Sequence, residues 1–207
     1  MDLTLLVAGD ERVGKSSLLR RLAESCSGSE RGASREAPSG CRSLKLLGQL
    51  STSKTVQVEL LECGPGGVER VVVDRLSGSV DGVFLVIDCA STDSLRVADD
   101  VLLFLTEHCQ ENGLVPIYLI ANKADCRPSA YVVTGPNLDL YARECGLAGW
   151  ALTVGHHELG DLDAGRGVSL RNQKTIDEIF IDMIRRHVEK NSNDGVKVIA
   201  KSFKVEE

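Results

Sequence analysis

Two stretches of this chain are apolar almost without interruption: GVFLVIDC (Gly82 to Cys89) and VPIYLIANKAD (Val115 to Asp125). A strand with one wet face alternates apolar and polar residues; a strand covered on both faces has no reason to. These runs therefore belong at the centre of a parallel sheet with helices above and below. The rest of the sequence supplies those helices. Leu95, Ala98, Leu102 and Leu105 recur at helical spacing, and Ile176, Ile179, Phe180, Met183 and Ile184 form a second apolar stripe within TIDEIFIDMIRRHVEK. Thr175 and Glu178 have capping-box spacing, so the last helix is predicted to start near Thr175.

The remaining elements follow the same logic. LTLLVAG (Leu3 to Gly9) is a short apolar run ended by glycine, and Leu18, Leu19 and Leu22 follow at helical spacing, which reads as strand, loop, helix. Residues Ser25 to Ser43 are small, polar and turn-forming, which predicts a mobile loop. SLKLLGQLS and TVQVELLEC read as two strands joined near Ser51 to Lys54, the second alternating over Val56, Val58 and Leu60, hence an antiparallel hairpin. WALTV (Trp150 to Val154) supplies a last strand. The order βαββ followed by αβ units predicts an α/β fold: a three-layer sandwich with a mostly parallel sheet of about six strands flanked by helices.

Composition narrows the class. With 207 residues, 43% apolar and 26% charged, one soluble domain with a full-sized core is expected. A net charge of -6 without a long basic block argues against nucleic acid as a partner. The seven cysteines are scattered singly, without CxxC pairs or zinc spacing, and read as reduced thiols in a cytosolic-type compartment. Neither an export signal nor a membrane span is legible. His156 and His157 have no partner at ligand spacing and read as surface loop, and Cys63 reads as a packing residue.

Between the first strand and its helix lies GDERVGKSS, residues Gly9, Asp10, Glu11, Arg12, Val13, Gly14, Lys15, Ser16 and Ser17. It fits G-x-x-x-x-G-K-[ST]. In that pattern glycines let backbone N–H groups wrap phosphate oxygens, the lysine neutralises phosphate charge, and the hydroxyl reaches Mg²⁺. The helix behind directs its positive dipole end at the same anions. Downstream, Asn122, Lys123 and Asp125 of ANKAD stand at the C-terminal end of an apolar strand, where doubly wound folds place ligands. An aspartate there can accept hydrogen bonds from N1–H and the exocyclic amine of guanine, which adenine does not offer.

GDERVGKSS, ANKAD and the spacing between them resemble the Ras and Rab superfamily of small GTP-binding proteins, over roughly residues 3 to 190, with an atypical Rab-like cast. The resemblance implies a P-loop GTPase fold and the cofactors GTP or GDP with Mg²⁺. It also implies that Lys15 contacts the β and γ phosphates, Ser16 ligates Mg²⁺, Ser17 supports the α phosphate, and Asn122, Lys123 and Asp125 hold guanine. The family's second base-binding loop falls at Thr153, Val154 and Gly155, where backbone contact alone is carried over.

The middle of the chain departs from the family. Asp-x-x-Gly-Gln is replaced by ECGPG, from Glu62 to Gly66. Glu62 can still bind metal through water, but Pro65 has no N–H to offer a γ-phosphate. Gly66 stands where a glutamine orients the attacking water, so no catalytic residue is assigned and hydrolysis is expected to be slow. The metal-capping threonine is also missing, since no threonine occurs between Thr4 and Thr52; Ser34 is the best match counting forward from Lys15, and Ser39 is near the place counting back from Glu62. Residues 191–207 read as a polar tail without the cysteines that would carry a lipid, so any membrane or organelle association is expected to run through protein partners.

LLECGPGG also resembles the second switch of the Rab-like subunits of intraflagellar transport trains, which implies a cytoplasmic protein brought to a cilium or flagellum by coiled-coil subunits of a transport complex. Two functions stay open. One is a guanine-nucleotide switch with slow GTP hydrolysis; the other is a constitutive structural subunit that binds GTP or GDP for stability.

Overall fold

The computed structural model describes residues 2–27, 35–36, 41–49, 55–64, 66–74, 80–108, 115–124, 133–154, 157–158, 176–191 and 203–205. In chain order the elements are β1 (Asp2–Gly9), α1 (Lys15–Ser27), β2 (Arg35–Glu36), β3 (Arg42–Gln49), β4 (Thr55–Glu62), α2 (Gly67–Asp74), β5 (Gly82–Asp88), α3 (Thr92–His108), β6 (Ile117–Asn122), α4 (Gly135–Glu144), β7 (Gly149–Val154), β8 (His157–Glu158), α5 (Ile176–Asn191) and β9 (Phe203–Val205).

Six long strands lie in the order β3-β4-β1-β5-β6-β7, extended by β2 and β9 at one edge and β8 at the other. The pairs β1–β4, β1–β5, β5–β6 and β6–β7 are parallel, and β3–β4 is the expected antiparallel hairpin. Alternate residues of β1 divide the core. Leu3, Leu5 and Val7 pack with Leu18, Leu22, Ile179 and Met183 of α1 and α5, whereas Leu6 and Ala8 pack with α2, α3 and α4 through Val68, Val71, Ala98, Leu102 and Leu138. Every residue of β5 up to Ile87 is buried. The near-continuous apolar runs are explained by these two cores.

Several boundaries differ from the sequence reading. The segment expected to be a loop from Ser25 to Ser43 gives its first three residues to α1, Arg35–Glu36 to β2, and Arg42 and Ser43 to β3. Ser25 and Ser27 are small and polar and read locally as loop, although the helix runs on through them. Phe203–Val205, in the segment read as a polar tail, pairs with Leu46–Gly48 and so shares the outer edge of β3 with β2. An edge strand needs only backbone partners, and three residues suffice. Thr175 lies outside the described residues; the helix it was expected to cap starts at Ile176.

Because the strands from β1 to β7 run parallel, apart from the hairpin partner β3, their C-terminal ends share one rim of the sheet. Gly9, Glu62, Asp88, Asn122 and Val154 stand there. The chain leaves β1 toward β4 on one side and toward β5 on the other, so the strand order reverses at β1, the point where such sheets open a crevice.

Candidate functional site

The loop from Gly9 to Gly14 is held by backbone conformations that its glycines permit. Gly9 (φ 142°) lies in register against Val86, and a Cβ there would come within 2.1 Å of the Val86 carbonyl oxygen. Gly14 (φ 100°) would bring a Cβ within 2.1 Å of Asn122 Nδ2. A side chain is therefore excluded at both positions by strand and neighbour. Arg12 adopts φ 61°, a left-handed turn inside the loop. The Gly14 carbonyl accepts the Leu18 N–H at 3.0 Å, which starts α1 and leaves the first-turn N–H groups without intrahelical acceptors.

Lys15 folds back over this loop. The residue is 6% exposed, and Nζ donates to the carbonyls of Gly9 at 2.9 Å and Asp10 at 2.5 Å. Burial draws the ammonium below its ordinary pKa, against the opposing pull of Glu62 and Asp10. One turn on, Ser16 Oγ donates to Glu62 Oε1 at 2.6 Å, and Arg42 Nη1 reaches the same hydroxyl at 3.4 Å. Arg42 and Glu62 face each other across the β3–β4 ladder, so the strand register delivers both to Ser16.

The other end of the rim is tied to the loop by Asn122. Its Nδ2 donates to the Val13 carbonyl at 2.8 Å, and its Oδ1 accepts from Thr153 Oγ1 at 2.9 Å, with both side chains buried. Lys123 takes a left-handed conformation (φ 63°) and pairs with Asp88 at 2.7 Å. The Thr153 carbonyl accepts the Ala124 N–H at 3.0 Å. Three strand ends, β5, β6 and β7, are thereby fixed against the loop behind β1.

Gly9 to Ser17, Glu62, Asn122, Lys123 and Thr153 thus stand along one rim, with Val154 closing β7 beside them through its backbone. Asp125, Ser34, Ser39, Pro65, Gly155 and His156 lie outside the described residues; His157 forms β8. No protein-family model matches the chain, and no curated protein matches it. Sequence reasoning missed Arg42 and Asp88. Asp88 ends the VFLVID run, where a lone carboxylate closing a buried strand was a legible signal; Arg42 depends on the hairpin register, which no local pattern announces.

Donor chemistry sets what this rim could hold. Ser16 and Glu62 offer two oxygens, fitting a hard divalent cation that takes its remaining ligands from water and phosphate. Among the described residues there is no group of three or more His, Cys, Asp or Glu that could hold a metal ion. Among the same residues no helix is long and apolar enough to cross a membrane.

Proposed function

We propose that this chain is an atypical Rab-like member of the small GTP-binding proteins, which binds GTP or GDP with Mg²⁺ along the rim and hydrolyses GTP slowly. The observation that carries the reading is the buried Lys15 ammonium, folded over the Gly9 and Asp10 carbonyls at the end of the central strand. A charge that burial disfavours is kept where an anion would repay it. In this reading Lys15 and the α1 N-terminus take the phosphates, Ser16 and Glu62 hold Mg²⁺, and Asn122, Lys123 and Asp125 face guanine. Mg²⁺, when bound, neutralises phosphate charge.

Gly66 has no side chain to position water, which supports slow hydrolysis. The same residue and Pro65 favour a second reading, a structural subunit of a larger transport assembly that binds either nucleotide alike. Partners of this protein, in both readings, are other proteins rather than lipid or nucleic acid.

Titration of nucleotide-free protein with GTP, GDP and ATP, with and without Mg²⁺, tests the proposal. Guanine nucleotides should bind and ATP should not, and Asp125→Asn should abolish the preference. GTP binding much tighter than GDP supports the switch; equal binding supports the structural subunit. ATP binding as tight as GTP, or no nucleotide binding at all, overturns both.

A further inference from the structure

Consecutive residues at the end of β4 have separate partners: Glu62 meets Ser16, and Cys63 meets Cys41. The β3–β4 ladder pairs Ser43 with Leu61 and Arg42 with Glu62, so one step further Cys41 stands opposite Cys63. Their sulfurs are 2.9 Å apart, and both residues are buried free cysteines. Opposed residues of antiparallel strands have Cα atoms about 4.5–5.5 Å apart, inside the span that a disulfide bridges. The backbone already holds the pair where a cross-link needs it.

Gly67, which opens α2, lies over the pair. A Cβ at Gly67 would sit 3.3 Å from Cys63 Cβ and 3.6 Å from Cys41 Sγ. Val68 and Val71 of α2 join both cysteines in one apolar cluster. A bulky adduct on either sulfur is crowded by α2 at Gly67, whereas the opposite sulfur is already in contact and can displace it.

We propose that Cys41 and Cys63 form an oxidation site: a dithiol that reacts with a small disulfide of the glutathione class and closes a cross-link between the start of β3 and the end of β4. In the first exchange one protein thiol, losing its proton, bonds to a sulfur of the small disulfide and displaces the other sulfur, which takes up a proton as free thiol. In the second exchange the remaining protein thiol loses its proton and bonds to the first protein sulfur, displacing the small sulfur held there, which takes up a proton and leaves as the second small thiol. The protein gives up two electrons and two protons, and the small disulfide receives them. Burial, and then the neighbouring Cys41, push the Cys63 thiol well above its ordinary value. The cross-link lies one residue from both Arg42 and Glu62, and so fixes the two side chains that meet Ser16.

The full chain, equilibrated in glutathione buffers of rising oxidised fraction, alkylated, digested and read by mass spectrometry, tests this. A linked Cys41–Cys63 peptide should appear while exposed Cys145 carries glutathione, and dithiothreitol should reverse both. The oxidised protein should melt at a higher temperature than the reduced one, because the cross-link restricts the unfolded chain. Cys41→Ser and Cys63→Ser should abolish that rise, and Cys145→Ser should keep it. If Cys145 is fully modified while Cys41 and Cys63 are still alkylated as free thiols, or each carries its own glutathione, the proposal is overturned. Should the serine variants not fold, the peptide map of the unsubstituted chain decides alone. None of these readings depends on nucleotide.

Discussion

Gly14 and Asn122 are in such close contact that a Cβ on Gly14 would lie 2.1 Å from Asn122 Nδ2, because that amide is drawn 2.8 Å onto the neighbouring Val13 carbonyl. The glycine is thus required by its φ of 100° and by the asparagine together. Gly14→Ala should destabilise the protein by about 1–3 kcal/mol. Asn122→Ala should also destabilise it, since Val13 and Thr153 lose their partner. Their combination should cost less than the sum, because the small residue at 122 relieves the overlap. Urea denaturation of the four proteins checks this; additivity within about 0.3–0.5 kcal/mol would show that the contact is not felt.

Lys15 separates folding from binding. Burial penalises its charge in the free protein, so Lys15→Met should leave the urea midpoint unchanged or higher, although the Gly9 and Asp10 carbonyls lose a donor. Under the proposed function the same variant should weaken GTP binding by about 1.5–3 kcal/mol, the worth of a hydrogen bond to a charged group. Isothermal titration alongside denaturation reads both. A large loss of stability with unchanged binding would mean that Lys15 is a structural clamp only.

The elements legible in the sequence are those whose periodicity reports burial. β5 and β6 were readable because both faces are covered, and α5 because Ile176, Ile179, Phe180, Met183 and Ile184 all turn inward. β2, β8 and β9 were not, since strands of two or three residues carry no period and exist through their partners. α2 and α4 were unassigned for a related reason: they are short, and α4 opens with Gly135 and Pro136, which read as turn. At the site, the loop from Gly9 to Ser17 announces itself through glycine spacing. The Arg42–Ser16–Glu62 contact does not, because it depends on the register of the β3–β4 pairing, which the expected join near Ser51 to Lys54 leaves open.

Gly66 has φ 73°, and among the described residues no atom lies within 4 Å of where a Cβ would go, so Gly66→Gln is strained by its backbone conformation rather than by a described neighbour. The substitution should cost about 1–2 kcal/mol in stability. Under the proposed function it should not restore fast hydrolysis, because Pro65 still lacks the N–H that a γ-phosphate would need. Single-turnover GTP hydrolysis measures this. A rise of about two orders of magnitude would show that only the missing glutamine had slowed the reaction.

Tyr118 gives the fold a pH dependence whose sign can be worked out. Its hydroxyl donates to Asp182, which also pairs with Arg185 and Arg186. Burial, then the Asp182 bond, hold the phenol protonated well above its ordinary value of 10.0. Above that value the native state keeps a proton that the unfolded chain has lost, so this contribution is complete at neutral pH and fades as pH climbs. Tyr118→Phe should cost about 1.5–3 kcal/mol at neutral pH, reduced to the extent that Arg185 and Arg186 keep Asp182 satisfied. The gap between the two proteins should then narrow from about pH 10 upward. Other alkaline titrations, including those of Lys15 and of Tyr141 on Asp99, occur in both proteins and largely cancel in the difference. Denaturation curves for both chains at neutral pH and at about pH 11 supply the comparison; a gap that stays constant would mean that the phenol keeps no tighter hold on its proton in the fold than in the unfolded chain.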